Sequence, residues 1–352
     1  MTSRERVLAA FAHEEPDRVP VWCGASPEFT AKAKARLGVT STEGLLIRFG
    51  DDFRRVTAPY AGPAERHPSL GLPEGVACRT VFGVEHRGVG CGIPMNPPLA
   101  DASLTQIHDY AWPNPKWIDV SPVHAQAAAW QRQYAILGGD WSPFWHDANE
   151  LLGMENMMCK MHDAPEIVDA VMEHVLDYYI QVNERILSSA AELLDVFFIG
   201  NDFGSQAGPL ISPAMFCRFI LRHLQRLTGL AHDYGLKVMM HCCGSFAPLM
   251  PAMVEAGIDG LQALQPCTPE MNPANLKRQF GSRLLFNGCI DSQHVLINGT
   301  PDLVRNRTRE VLEIMKPGGG YVVSASHDYI LEETPVENVL AMFDTAREFG
   351  GY

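Results

Sequence analysis

The residues most able to do chemistry are His241-Cys242-Cys243-Gly244, which follow the apolar run 237–240. If that run is a β-strand, alternate side chains share a face, so His241 and Cys243 project together and Cys242 points the other way. Imidazole and thiolate both suit zinc, and a catalytic zinc needs three protein ligands with a fourth position left for water or substrate. The sequence therefore predicts a zinc half-site. The alternative is a buried His and Cys that only pack in a core.

Three further residues follow predicted strands and are candidates to complete the site. His327 ends the last predicted strand and could reach His241 and Cys243 across a closed barrel as the third zinc ligand. It suits equally well a catalytic proton donor or a substrate anchor without metal. Asp202 and Gln206 are candidates for orienting substrate, with Asp202 also a candidate catalytic residue. Their alternative roles are a loop-capping carboxylate and a solvated amide.

Apolar segments that alternate with helical segments must position these residues. A first strand is predicted at 19–24, and later strands are predicted at Tyr134–Asp140, Leu193–Asp202, Lys237–Gly244, Gly257–Leu264, Arg283–Asp291 and Gly320–Asp328. This alternation predicts an α/β fold with parallel strands, a (β/α)8 TIM-type barrel, whose strand ends gather at the catalytic face. We expect one domain over residues 1–352. A Pro- and Gly-rich cap or rim is expected at about 59–115, with a hairpin near Thr80–Val89.

Composition excludes several classes of function. The chain of 352 residues has a formal net charge of −13 and no run of Lys and Arg, which argues against nucleic-acid binding. No apolar stretch approaches about 20 residues, so no membrane span is expected. The nine cysteines are scattered, two of them adjacent, and the N-terminus predicts an amphipathic helix and not a leader peptide. These features predict a soluble protein of the reducing cytoplasm.

Motifs along nearly the whole chain resemble those of the uroporphyrinogen decarboxylase superfamily, and specifically its corrinoid-dependent methyltransferase branch. The motifs are Arg18-Val19-Pro20-Val21, Trp112-Pro113, Asp202-Phe203-Gly204-Ser205-Gln206, His241–Gly244, Gly288–Gln293 with Leu296, the turn Gly318–Tyr321, and Thr334-Pro335-Val336-Glu337-Asn338. The resemblance implies a (β/α)8 barrel of the uroporphyrinogen-decarboxylase type.

The methyl-transfer branch resembles this chain in a His-x-Cys pair that, with a later Cys, binds zinc. The matching positions are His241 and Cys243, whereas His327 stands in place of the later Cys. Cys289 is a rival third ligand. The resemblance also implies a corrinoid carried by a separate partner protein.

The chain departs from the decarboxylase itself at its first predicted strand. The decarboxylase has an Arg-Gln-Ala-Gly-Arg segment whose arginines neutralise the substrate's carboxylates, and here the corresponding stretch is Trp22-Cys23-Gly24-Ala25-Ser26-Pro27. An eight-carboxylate porphyrinogen would be poorly neutralised without those arginines. Uroporphyrinogen decarboxylation is therefore disfavoured.

The leading hypothesis is a zinc-dependent methyltransferase that moves a methyl group between a small methylated substrate, or a thiol acceptor, and a protein-bound corrinoid. A second hypothesis is a metal-free decarboxylase of a smaller carboxylic acid, in which His327 and Asp202 handle protons. A third is a non-catalytic protein that binds a corrinoid or another tetrapyrrole. Metal content separates the first two hypotheses, because fold alone does not decide function.

Overall fold

The computed structural model describes residues 1–88 and 92–352. Its strands are β1 (Phe53–Arg55), β2 (Cys78–Arg79), β3 (Glu85–Arg87), β4 (Ile93–Met95), β5 (Ala135–Gly138), β6 (Val196–Gly200), β7 (Lys237–His241), β8 (Gly260–Leu264), β9 (Leu285–Ile290) and β10 (Tyr321–Ala325). Seven of them form one sheet in the order β1-β5-β6-β7-β8-β9-β10, and all neighbours in it are parallel. The short strands β2, β3 and β4 form a separate antiparallel sheet.

Helices connect the parallel strands. They are α1 (Ser3–Phe11), α2 (Pro27–Leu37), α3 (Thr42–Phe49), α4 (Leu104–His108), α5 (Val123–Trp130), α6 (Phe144–Leu152), α7 (Met154–Asp163), α8 (Pro165–Ala190), α9 (Pro213–Phe219), α10 (Leu221–Asp233), α11 (Met250–Glu255), α12 (Pro273–Phe280), α13 (Pro301–Met315) and α14 (Val336–Phe349). Along residues 1–88 and 92–352, none of them has the length and apolarity that crossing a bilayer requires.

Two apolar clusters show how the sheet is arranged. The smaller one joins Phe53 of β1 to Val322 of β10, together with side chains from the strands between them and from α1. Because residues of both edge strands share one cluster, the sheet curls around it, and α1 packs against it. The larger cluster contains the alternate side chains of the strands and the buried faces of the helices. The expected TIM-type architecture is thus present as a curled, seven-stranded parallel sheet.

The segment predicted as the first strand is extended, but it is not a regular strand. Val21 makes an isolated parallel bridge to Val323, and Trp22 donates its N–H to the Val323 carbonyl at 3.0 Å. On its other side, the Val21 carbonyl accepts the Asp52 N–H at 3.0 Å. Pro20 has no N–H to offer a ladder, so pairing is limited to single bridges. Among the described residues, the parallel sheet has no eighth regular strand. The sequence analysis did not predict β1.

Asp52 fixes this extended segment through a fully buried carboxylate. Its Oδ1 accepts Arg6 Nη1 at 2.7 Å, and its Oδ2 accepts Arg18 Nη1 at 2.9 Å and the Val21 N–H at 2.8 Å. A buried charge is tolerated only when it is paired and hydrogen-bonded in this way. Helix α1, the extended segment and β1 are therefore tied together at one carboxylate.

The Pro- and Gly-rich stretch 59–115 contains the antiparallel sheet and packs on the helical layer. β2 and β3 form the predicted hairpin near Thr80–Val89, although Val89 lies outside the described residues. Phe82 lies in the turn of this hairpin and contacts the rings of Tyr178 and Tyr179, in α8, edge to face. The eight cysteines that the structure describes are free thiols, and Cys91 lies outside the described residues.

Candidate metal centre

The carboxyl end of β7 presents an imidazole and a thiol to the same space. Cys243 Sγ lies 3.3 Å from His241 Nε2. Cys242 turns the opposite way into the larger apolar cluster, where its sulfur accepts the Phe203 N–H at 3.4 Å. Burial raises the pKa of Cys242 well above its ordinary value, so that thiol stays protonated. The alternation of side chains thus places one thiol beside the imidazole and buries the other in the core.

Asp202, in the loop after β6, is the third member of the group. Its Oδ1 accepts the Cys243 N–H at 2.7 Å and lies 3.4 Å from His241 Nε2. The donor atoms of Asp202, His241 and Cys243 all lie within 4.8 Å of one another. An imidazole, a thiol and a carboxylate are ligands of zinc, and three protein donors are the number that a catalytic zinc uses.

Two glycines allow the loops after β6 and β7 to touch. A Cβ at Gly204 would lie only 2.5 Å from the Cys243 carbonyl oxygen, and Gly244 has a φ of +82°. A side chain at the first position would force the loops apart, and the second position favours glycine for its backbone angle. The close approach brings Asp202 to Cys243.

Gln262, on β8, fixes the orientation of the imidazole. His241 Nδ1 lies 2.6 Å from Gln262 Oε1, and the Gln262 side chain is completely buried. An amide oxygen only accepts, so Nδ1 carries the proton and a neutral His241 keeps its lone pair on Nε2. Nε2 is the atom that faces Cys243 and Asp202. This is the arrangement in which a histidine binds metal while its other ring nitrogen is held by a hydrogen bond.

The polar groups of the cluster shift one another's pKa values. Burial disfavours the carboxylate of Asp202, but hydrogen bonds and charge from His146 and His241 outweigh it and hold its pKa well below the ordinary value. Burial likewise disfavours a charged His241, yet Asp202 and Cys243 raise its pKa well above the ordinary value. The site therefore carries the ionised carboxylate that a cation requires.

Two other predicted site residues, His327 and Gln206, line a cavity of about 400 Å³ that also borders Asp202 and Cys243. His327 is on its wall, and its Nδ1 lies 2.9 Å from the Tyr329 carbonyl oxygen. It is not part of the three-donor group. Gln206 Nε2 donates to Gln265 Oε1 at 2.9 Å on the same wall. The structure therefore brings His241, Cys243 and Asp202 together and leaves His327 and Gln206 facing the adjoining space.

Cys289 and a second donor group are not part of this cluster, although Cys267 and Asp291 of the second group line the same cavity as Asp202 and Cys243. Cys289 packs in the larger apolar cluster, and burial raises the pKa of its thiol to about 12. The donor atoms of Cys267, Asp291 and His294 also lie within 4.8 Å of one another. Asp291 Oδ1 in that group already accepts the N–H groups of Gln293 and His294 as a helix cap.

The sequence analysis did not predict the roles of three residues at this site. Gln262 is the one amide in an otherwise apolar strand, which is a usable signal for an inward polar contact. His146 follows the strand-end residue Asp140 by six positions, and its Nε2 lies 3.3 Å from the Asp202 backbone nitrogen and 3.6 Å from Asp202 Oδ2. The place of Asp202 among the metal donors had no signal in sequence, because it depends on the contact between two loops.

The sequence and the fold match known proteins. A family model described as "Uroporphyrinogen decarboxylase (URO-D)" matches residues 124–349. A methylated-thiol–coenzyme M methyltransferase of Methanosarcina mazei is 25% identical, over 77% of this chain and 72% of that protein. A methylcobamide:CoM methyltransferase of Methanosarcina acetivorans is 19% identical over 99% and 98%. A uroporphyrinogen decarboxylase of Syntrophotalea carbinolica is 26% identical over 52% and 49%.

A solved structure gives the same architecture. A methyltransferase from Methanosarcina mazei superposes with a TM-score of 0.69 at 20% identity and covers 99% of both chains. The likeness establishes a shared fold over the whole chain.

Proposed function

Because the chain belongs to the uroporphyrinogen decarboxylase family and is similar to methyltransferases over most of its length, we propose that it is a zinc-dependent methyltransferase. The proposed reaction moves a methyl group between a small methylated substrate, or a thiol, and a corrinoid held by a separate protein. The observation that carries this proposal is the group of three donors, His241, Cys243 and Asp202, beside an open cavity.

The three donors fit zinc better than a hard cation such as Mg²⁺. Mg²⁺ takes oxygen ligands, whereas a thiolate, an imidazole and one carboxylate suit zinc. Zinc bound there would favour the thiolate form of a thiol substrate at neutral pH, or would polarise the heteroatom of a methylated one. We therefore assign His241, Cys243 and Asp202 as the ligands, in place of the His327 that strand position suggests.

The surrounding residues would hold the ligands and the substrate. Gln262 keeps His241 Nε2 directed at the other two donors, and Asp202 binds the Cys243 backbone as well. His327 and Gln206 line the adjoining cavity, where they would contact the substrate. His327 would there donate or accept a proton at one of its ring nitrogens.

The stretch 59–115 is proposed as the rim that meets the corrinoid protein. Pro94 and Pro97 border a second cavity, of about 290 Å³, against α6. His146 lies on the wall of that cavity and also contacts Asp202, so the rim borders the metal centre through one side chain.

Metal content tests the proposal first. Protein purified without chelator or affinity metal should contain one zinc per chain by elemental analysis. The zinc should be lost in His241→Ala, Cys243→Ala and Asp202→Asn and kept in His327→Ala. Loss of zinc from His327→Ala with retention in Asp202→Asn would instead make His327 the third ligand. A native protein without zinc would exclude the proposal and favour the metal-free decarboxylase.

Methyl transfer is the second test. The zinc-loaded protein should demethylate a methylated corrinoid protein in the presence of a small thiol, which is followed by the change in corrinoid absorbance. Removal of zinc by a chelator should stop the reaction, and re-addition should restore it. Undiminished transfer after chelation would contradict the zinc role.

A further inference from the structure

A second group of metal-binding side chains lies at the carboxyl ends of two neighbouring strands. Cys267 follows the end of β8 by three residues, and Asp291 comes directly after β9, with His294 one turn further on. Because β8 and β9 are parallel neighbours, their carboxyl ends bring these residues to the same edge of the sheet. The three donor atoms lie within 4.8 Å of one another. The group therefore has the same plan as the metal centre, whose donors follow β6 and β7.

Local hydrogen bonds fix the two loops that carry these donors. Cys267 lies in a turn in which the Thr268 N–H and hydroxyl both donate to the Gln265 carbonyl oxygen, at 3.3 and 3.0 Å. Asp291 Oδ1 accepts two backbone N–H groups of the following turn, at 2.9 and 3.0 Å. This cap uses one carboxylate oxygen, and the other oxygen, Oδ2, lies 2.9 Å from His294 Nδ1.

The distance between the carboxylate and the imidazole is close to that between two ligands of one metal ion. Asp291 Oδ2 and His294 Nδ1 are 2.9 Å apart. Two atoms that each lie about 2.1 Å from a tetrahedral zinc are about 3.4 Å apart. An ion would therefore replace the proton between these two atoms with only a small movement of the side chains. A carboxylate, an imidazole and a thiol suit Zn²⁺ or Co²⁺ better than Mg²⁺.

Asp291 lacks a permanent countercharge. It forms an ion pair with His294, which is charged only when it is protonated. Within residues 1–88 and 92–352, no Lys or Arg nitrogen lies within 4.0 Å of the Asp291 carboxylate. Arg307 lines a cavity of about 370 Å³ together with this group, but its Nη1 bonds Glu310 Oε2 at 2.6 Å. In a chain with a formal net charge of −13, a divalent cation would supply the missing charge.

We propose that Cys267, Asp291 and His294 bind a second divalent ion of the zinc type. Cys267 and Asp291 line the same cavity of about 400 Å³ as Asp202 and Cys243. The second ion would therefore lie on the wall of the cavity that the metal centre borders. Three protein donors leave a further coordination position for water or for a molecule in the cavity.

The second site should bind zinc about 10- to 100-fold more weakly than the metal centre. Cys267 and His294 are exposed, whereas His241 is buried and held by Gln262. We therefore expect one zinc in the protein as purified and a second ion only when metal is added. None of the three donors is a proposed ligand of the metal centre, so the inference does not depend on the methyltransferase function.

Cobalt titration tests the inference, because thiolate-bound Co²⁺ absorbs in the near ultraviolet through charge transfer from sulfur. The reduced, zinc-loaded wild type should bind one further ion per chain from CoCl2 and gain this absorption band. The band should be lost in Cys267→Ser and kept in Cys243→Ala. His294→Ala, and Asp291→Asn, which keeps an acceptor for the cap, should each weaken cobalt binding by about tenfold or more. Cys217→Ser, at an exposed cysteine of α9, is the matched control and should behave as wild type.

The first zinc is measured separately, by elemental analysis before cobalt is added. Absence of a second ion at about 1 mM CoCl2 would overturn the inference, as would a band that survives in Cys267→Ser. Undiminished cobalt affinity in His294→Ala would overturn it as well. A chain that lacks the first zinc but binds cobalt through Cys267 would contradict the proposed function and support this inference.

Discussion

Replacing Gln262 by Met should weaken zinc binding although Gln262 is not itself a ligand. Its Oε1 is the acceptor for His241 Nδ1, at 2.6 Å, and its side chain is fully buried. A methionine of similar length fills the space but offers no comparable acceptor. The imidazole then loses the contact that selects the tautomer with its lone pair on Nε2, and its basicity toward a metal falls.

The expected loss follows from that one hydrogen bond. Mutation of groups that orient a metal ligand commonly costs about 10- to 100-fold in metal affinity, which corresponds to about 1.4 to 2.7 kcal/mol. Gln262→Glu keeps an acceptor at the same position and adds a charge that favours a bound cation. We therefore expect Gln262→Glu to bind zinc at least as tightly as wild type.

Competition against a zinc-binding dye of known affinity at neutral pH measures the effect. Gln265→Met is the matched control, because Gln265 is also a glutamine near the site, but its side chain accepts a hydrogen bond from Gln206 on the cavity wall. Its zinc affinity should stay within about twofold of wild type. Equal zinc affinity in wild type and Gln262→Met would refute the idea that this amide orients the ligand, provided that both proteins are folded by circular dichroism.

Three further predictions concern stability and the loops. Asp52→Ala should lower the free energy of unfolding by about 3 to 5 kcal/mol in urea titrations, because two arginines lose their buried partner. Burial raises the pKa of Asp51 to about 7 from 3.8, so its stabilising contribution is complete below pH 3.8 and is lost as the pH rises through 7. Relative to Asp51→Asn, wild type should lose about 1.4 kcal/mol per pH unit in that window, measured by urea unfolding at several pH values. Gly204→Ala should reduce zinc affinity by about tenfold or more in dye competition, because its Cβ would displace the Cys243 carbonyl.

The later strands were predictable because each is a short apolar run that ends in polar residues. The strands β5 to β10 all lie within the predicted ranges. The sequence Phe53-Arg54-Arg55 gave no such signal, since two of its three residues are charged. Arg54 is accommodated by Glu43 and by the ring of Tyr134, 3.7 Å from its Cζ, and these are tertiary contacts that no local pattern contains. The extended segment near Val21 had the opposite problem, because its apolar residues resemble a strand although Pro20 among them limits regular pairing.

The candidate site was partly predictable for a similar reason. The joint projection of His241 and Cys243 follows from strand alternation alone, and so does the opposite direction of Cys242. The third donor depends on which loops touch. Asp202 reaches the pair because Gly204 permits a close approach to the next loop, and that contact is set by the packing of β6 against β7. The strand-end position and the resemblance favoured His327, which the structure places on the wall of the neighbouring cavity.

Charge gives a reason why a carboxylate suits the third position better than a second imidazole. The methyl-transfer branch that this chain resembles uses one His and two Cys, so two anionic ligands balance the two charges of zinc. In the proposed site, His241, Cys243 and Asp202 would also supply two anionic ligands, whereas His327 in place of Asp202 would leave one positive charge uncompensated. With a neutral metal site, a substrate bound as a thiolate would add one negative charge.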